Sequence, residues 1–314
     1  MNVIVPSKPE RLFFVVNNKS GNACEQQVRS ASECCFPTSA EVQFFVRDRK
    51  GQSRRKATRQ AIEDGFDTII AVGGDGTVSR VADEIRAALI EVPERSLQLG
   101  IIPTGSANLI ARSLQLPLDV DESIRLLASA PAAGELDAMV MNDRAYFSHI
   151  SMGVYSQIAG DTTTWQKRRF GTAAYLWHLA TALRRQQRWK FELQIDGVTT
   201  RLTASMIIAC NVGASGLGHL QWREDVRPDD GRIDLCVIRS ASIATYLKLI
   251  ANAARGRQDS TPNVKFLSAY DRVIIRSDKD LPVRADGKNV GTGTADLQLV
   301  RHAVPVVVPE RGIE

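Results

Sequence analysis

The run Gly73-Gly74-Asp75-Gly76-Thr77 sits where an apolar stretch, Thr68 to Val72, gives way to residues spaced for one helix face: Val78, Val81, Ala82, Ile85 and Leu89. A buried strand that turns through glycines straight into an amphipathic helix is a unit of a parallel α/β sheet, which narrows the fold before any other residue is read. The same turn is a seat for phosphate. Glycines let backbone N–H groups approach an anion closely, and the helix N-terminus adds favourable partial charge. Asp75 inside that cradle points to nucleotide chemistry, because a carboxylate beside a transferring phosphate holds Mg²⁺ or takes the proton from an attacking hydroxyl. A turn-capping role bonded to local N–H groups is the alternative for Asp75. Thr77 suits either a phosphate contact or a helix cap.

A second cradle follows. Leu97 to Ile102 reads as a buried strand, leading into Pro103-Thr104-Gly105-Ser106-Ala107-Asn108 and a helix that runs to Leu114. A third strand-end loop lies upstream, where Leu12 to Val16 runs into Asn17-Asn18-Lys19-Ser20-Gly21. In an open parallel sheet, ligands bind at the carboxyl ends of strands, so loops after neighbouring strands converge on one crevice.

Taken in order, NNKSG, GGDGT and PTGSAN resemble the diacylglycerol kinase catalytic family, which includes bacterial lipid kinases and the sphingosine and ceramide kinases. Its usual forms are NPxSG, GGDGT and PxGTxN, and NAD kinases share only the GGDGT element. The resemblance continues through Glu135-Leu136-Asp137, Tyr146-Phe147, Gly153, Pro228-Asp229-Asp230-Gly231-Arg232-Ile233-Asp234, Val283-Arg284-Ala285-Asp286-Gly287 and the terminal Val306-Val307-Val308-Pro309. It implies a Rossmann-like α/β N-terminal domain of the NAD kinase and diacylglycerol kinase type, then a mainly antiparallel β-sandwich that binds lipid, with a transfer cleft between them. It also implies ATP and Mg²⁺ as cofactors. Asn17, Lys19, Ser20, Gly21, Gly73, Gly74, Gly76, Thr77, Gly105, Ser106 and Asn108 would seat the nucleotide, although Asn108 equally suits a helix cap.

The chain departs from the family pattern in places that bear on chemistry. Leu109 stands where many relatives have Asp, and Ser79-Arg80 where they have Asn-Glu. Arg80 would clamp phosphate or lie on the solvent face of its helix. Lys288 replaces the Glu of the family's DGE, its proposed general base, and an ammonium accepts no proton near neutral pH. The proton then falls to Asp75, with Asp286 assisting, or to a Lys288 whose pKa burial has lowered, or catalysis is lost. By the same resemblance, the Asp230 side chain with the carbonyls of Arg227 and Arg232 would hold a structural Mg²⁺; a turn with the Asp side chains bonded to their own backbone is the alternative.

A length of 314 residues is enough for two domains, expected as 1–134 with a C-terminal return at 302–314, and 135–301. Up to about Ser129, apolar strands alternate with helical segments, Arg54 to Glu63 and Glu122 to Leu127 among them. Beyond Gly134 the chain turns strand-rich, with Ala145 to Ile150, Phe191 to Ile195, Ala204 to Cys210, Ile233 to Ile238, Val264 to Phe266, Arg272 to Ile275 and Leu297 to Arg301, and Asp196-Gly197 reads as a hairpin turn. Five cysteines without C-x-x-C spacing argue against both a disulfide framework and zinc, and fit a reducing cytoplasm. Lys8, Glu10 and Arg11 come before any long apolar run, so no secretory signal is expected, and no stretch reaches membrane-span length.

Residues 167 to 190 carry seven cations and no acid, with Phe170, Tyr175, Leu176, Trp177, Leu179 and Leu183 between the clusters. That pattern predicts a basic amphipathic helix on an anionic membrane surface, or a helix packed on the sandwich with its charges in water. A net charge of +5 with no recognised binding motif excludes nucleic acid as the expected partner. His149, His178, His219 and His302 lie at spacings that suit no metal cluster, and most are expected to be structural. The expectation is therefore an ATP-dependent lipid kinase acting on diacylglycerol or a sphingoid-like lipid, cytoplasmic and peripherally membrane-associated. A homodimer through edge strands is also possible. The alternatives are a catalytically silent nucleotide- or lipid-binding regulator, and an NAD kinase relative.

Overall fold

The computed structural model describes residues 10–18, 25–47, 52–129, 132–154, 156, 187–213, 225–253, 255–286 and 288–310. The chain divides into two compact units, Met1–Asp137 with His302–Glu314, and Ala138–Arg301.

The first unit is built from β1 (Arg11–Val16), α1 (Glu25–Cys35), β2 (Glu41–Val46), α2 (Arg54–Glu63), β3 (Thr68–Gly73), α3 (Asp75–Glu91), β4 (Gln98–Pro103), α4 (Leu109–Ser113) and α5 (Val120–Ala128). The strands pair in parallel in the order β2-β1-β3-β4, with Phe14 opposite both Phe44 and Ile70, and Ile70 opposite Gly100. Strands buried on both faces read as unbroken apolar runs, as β1 and β3 do. Alternate side chains serve opposite layers. Leu12, Phe14, Val16, Ile70, Val72 and Ile102 pack with Val28 of α1 and Val120, Ile124 and Leu127 of α5. Phe13 points the other way, onto Phe66 at a ring distance of 5.4 Å. Helix α2 begins where Ser53 accepts a hydrogen bond from the Lys56 N–H, and α5 where Asp119 accepts from Asp121 and Glu122.

The chain continues through β5 (Ala132–Met141), β6 (Arg144–Tyr146), β7 (His149–Gly153), β8 (Trp189–Ile195), β9 (Val198–Ala204), β10 (Met206–Cys210), β11 (Ile233–Ile238), α6 (Ile243–Ala253), β12 (Val264–Ala269), β13 (Arg272–Ser277), β14 (Pro282–Ala285), β15 (Lys288–Thr292) and β16 (Thr294–Val308). In the second unit, one antiparallel sheet runs β12-β11-β10-β7-β14-β15. Facing it are antiparallel β16, β13, β8 and β9, with the hairpin β5-β6. One core fills the space between the sheets, joining Ile150, Met152, Ile207 and Leu235 to Phe191, Leu193, Val273 and Leu297. The β8-β9 hairpin turns at Asp196 and Gly197, both at positive φ, and the Asp196 carboxylate accepts the N–H groups of Tyr270, Asp271 and Arg272.

Two expected strands are each divided by a serine. Ala145 to Ile150 is split between β6 and β7, because the Ser148 carbonyl accepts the Asn211 N–H at 2.9 Å while its hydroxyl turns to Asp286. Ala204 to Cys210 breaks at Ser205, whose Oγ lies 2.7 Å from the Ser240 carbonyl. Beside it Gly153 has φ +108°, and a Cβ there would stand 2.3 Å from the Ser205 carbonyl, so only glycine fits. Of the basic segment, 167–186 lies outside the described residues. Trp189 and Lys190 open β8, so these two residues are strand where the sequence predicts a helix through 190.

Strand β16 spans the boundary between the units in sequence. At His302, φ is +52° and the N–H donates to the fully buried Asp137 carboxylate at 2.8 Å. From there Val306 pairs in parallel with Leu99, and Val307 enters the core of the first unit. Among the described residues, no helix is long and apolar enough to cross a membrane.

Candidate functional site

The ends of β3 and β4 carry the two glycine turns, and backbone contact joins them. Gly74 is the N-cap of α3 and makes no side-chain cap bond, so Asp75 is the first helical residue. The Thr104 N–H donates to the Gly73 carbonyl at 3.0 Å. A Cβ on Gly105 would lie 2.5 Å from the Gly74 Cα, so the turns approach as closely as two glycines allow. Asn108 sits in the left-handed region at φ +50° and closes its own loop: Oδ1 accepts the Gly105 N–H at 2.9 Å and Nδ2 donates to the Gly105 carbonyl at 3.0 Å. It occupies the cap position of α4 without capping it through its side chain. Ser106 is exposed at the tip of this loop.

Asp75 ties the turns together, since its Oδ1 accepts the Ile110 N–H at 3.0 Å. Thr77 is the third residue of α3 rather than its cap, and its Oγ1 accepts a hydrogen bond from Asn17 Nδ2 at 3.3 Å. Asn17 follows β1, its own N–H donating to the Val72 carbonyl at 3.0 Å, so three strand ends meet here. Lys19, Ser20 and Gly21 lie outside the described residues. Arg80 folds back one helical turn and donates to the Gly76 carbonyl at 2.6 Å, and so remains part-buried at the turn. Leu109 is buried and apolar. Residue patterns alone did not single out Arg54, whose Nη1 donates to Asn17 Oδ1 at 2.9 Å. The available signal was three cations, Arg54, Arg55 and Lys56, at the head of a helix.

Asp286 belongs to the second unit. It follows β14 at φ +47°, its N–H donates to the His149 carbonyl at 3.2 Å, and its Oδ1 accepts the Ser148 hydroxyl. The other oxygen, Oδ2, is buried with no hydrogen-bond partner among the described residues. Ser148 Oγ also lies 3.4 Å from His149 Nδ1. Burial pushes the His149 pKa below its ordinary 6.5, with Asp286 pulling the other way, so this imidazole is held neutral. Lys288 is exposed at the start of β15.

The Arg227–Asp234 loop is a closed ionic knot. Asp230 accepts the Arg227 N–H at 2.9 Å and the Arg232 N–H at 3.2 Å. Arg232 reaches Asp225, Asp230 and Asp234 at 3.0, 3.2 and 3.0 Å. Burial pulls the Arg232 guanidinium down, and the three acids overcome it and leave its pKa raised. Burial raises the Asp230 pKa, with Asp234 adding to it, against the pull of Arg227 and Arg232. The carboxylate that Mg²⁺ would need is thus engaged by backbone donors and a guanidinium, and the loop in this arrangement does not fit the ion. Among the described residues, no group of three or more His, Cys, Asp or Glu side chains is placed to hold a metal ion.

Residues 11–139 match the family described as diacylglycerol kinase catalytic domain, and residues 148–308 the one described as YegS C-terminal NAD kinase beta sandwich-like domain. A diacylglycerol kinase of Staphylococcus saprophyticus is 26% identical over 274 residues, covering 87% of this chain and 86% of the relative. One from Staphylococcus carnosus is 25% identical over 275 residues, covering 88% and 86%. A crystal structure of a diacylglycerol kinase from Bacillus anthracis superposes with a TM-score of 0.78 at 19% identity, over 97% of this chain and 99% of that one, a likeness of fold.

Proposed function

Because the chain belongs to the diacylglycerol kinase catalytic-domain family, we propose that it is an ATP-dependent lipid kinase that moves the γ-phosphoryl to a hydroxyl of diacylglycerol or a sphingoid-like lipid. The observation that carries this reading is the Asp75 carboxylate, fastened to the Ile110 N–H across two touching glycine turns. Phosphoryl transfer is governed mainly by positioning and charge neutralisation, and a carboxylate locked between two phosphate-type loops supplies position. Mg²⁺ carried on the nucleotide would offset phosphate charge.

Asp75 would take the proton of the incoming hydroxyl, and Asp286, with one oxygen lacking a donor among the described residues, would assist. Asn17 and Thr77 would orient a phosphate oxygen through their shared hydrogen bond. The lipid would be met at the cytoplasmic membrane face, with 167–190 supplying the cations. The test is to incubate the protein with radiolabelled ATP, Mg²⁺ and a total lipid extract from its host in mixed micelles. Label in the organic phase supports the kinase and identifies the acceptor by mass. Lys288 at the usual base position favours a second reading, a nucleotide-binding regulator without turnover, which ATP binding with no labelled lipid would support.

A further inference from the structure

Three cations open helix α2, at the end where aligned peptide dipoles already add positive charge. Arg55 is answered by Asp83 and Glu84 of α3, and Arg59, one turn on, by Glu84. Among the described residues Arg54 meets no acid. It is only 8% exposed, its Nη1 bonds the neutral amide of Asn17, and its Nε is buried with no hydrogen-bond partner among the described residues. Burial first, then the neighbouring charges of Arg80 and Arg47, pull its guanidinium down to about 10. A buried cation whose charged neighbours are cations is strongly unfavourable in isolation, and most such groups are paired. Asn17 fastens this one to Thr77 on the Gly73–Thr77 turn, where Arg80 also folds back.

We infer that Arg54, held by Asn17 and backed by Arg80 and Arg47, receives a phosphoryl dianion at the β3 turn, so that guanidinium charge binds the phosphate without a divalent cation. This deepens the nucleotide seat proposed above and rests on that reading only for what carries the phosphate. A guanidinium suits the task because its planar fork presents paired donors to phosphate oxygens. The carrier is a nucleotide or a free phosphate, and the two share this chemistry.

The test titrates the full chain with pyrophosphate, ADP and orthophosphate in EDTA, by calorimetry and by thermal melting, for the native protein, Arg54→Met and Arg54→Lys. Native protein should bind pyrophosphate without metal. Arg54→Met should weaken that binding by about 10- to 100-fold, the worth of charge-assisted hydrogen bonds, and Arg54→Lys should recover part of it. Ligand-free Arg54→Met should melt at or above the native temperature, because an unpaired buried charge has gone. ADP affinity falling in step with pyrophosphate identifies a nucleotide; a fall for pyrophosphate and orthophosphate with ADP unchanged identifies free phosphate. No metal-free pyrophosphate binding by the native protein, unchanged affinity in Arg54→Met, or a ligand-free Arg54→Met that melts lower would each overturn the inference. No lipid is phosphorylated in this assay, so its failure and the failure of the kinase reading are separate results.

Discussion

Two arginines, one in each unit, sit in opposite electrostatic company. Arg232 in the second unit is ringed by Asp225, Asp230 and Asp234, and its pKa is raised. Arg54 in the first unit is more buried, has cations for charged neighbours among the described residues, and its pKa is lowered. The Arg232 knot is complete in itself, which is how a structural ion cluster is built. The Arg54 corner is incomplete, and an unbalanced buried charge beside a glycine turn marks a place that a ligand finishes. Counting charged residues in the two stretches would not separate the cases; the pairing does.

The largest expected effect comes from Asp75, the acid fastened where the two glycine turns meet. Asp75→Asn should lower lipid-phosphorylating turnover by about 10²- to 10⁴-fold while nucleotide affinity changes far less. Near-native turnover in the label-transfer assay would remove Asp75 from the chemistry and leave that corner as a binding site only. Next comes Arg232→Met, which removes the guanidinium that three carboxylates share. A loss of about 2–4 kcal/mol in urea unfolding is expected, below the fully buried case because 19% of the Arg232 side chain is exposed. Arg54→Met in the same experiment should show the opposite sign or none, and matching losses for the two variants would erase the distinction between the clusters.

Gly105→Ala sharpens the picture at the backbone. The added methyl group meets the Gly74 Cα, so the turns must part, at a cost of about 1–3 kcal/mol and with weakened pyrophosphate binding. Unaltered binding would mean that the corner needs its cations but not its touching turns. The smallest effect concerns His149, a base that escapes burial by shedding its proton, as Arg54 cannot. Its folded pKa lies below 6.5, so the unfolded chain is protonated first; the associated stability is present above pH 6.5 and is lost as pH falls through the folded value. Unfolding curves between pH 7.5 and 5.5 should therefore steepen by at most about 1.4 kcal/mol per pH unit, and His149→Asn should flatten them. An unchanged pH dependence in that variant would locate the titration elsewhere.

Much of this was legible from the chain. β1, β3 and β4 announce themselves as apolar runs ending in glycine or small polar turns, Arg54 to Glu63 has the bounds of α2, and Asp196-Gly197 turns as that pair should. Helix α1 and strand β2 escaped notice, because α1 places only Val28 of its apolar residues fully inside and β2 is no more than half-buried. The breaks at Ser148 and Ser205 were hidden for another reason. Neither carries Gly or Pro, and each depends on a partner far along the chain, Asp286 or Ser240. The isolation of Arg54 is of the same kind: sequence gives the charge, but only the fold reveals which arginines α3 answers.

The path of β16 has a consequence for biosynthesis. The second unit is one continuous stretch, whereas the first needs Val306 and Val307 at its sheet and core. A ribosome therefore finishes the first 137 residues and must add about 160 more, on the order of 10–30 s at ordinary elongation rates, before the missing strand can emerge. Through that interval the β4 edge beside Leu99 stays open, so the unit begun first is completed last.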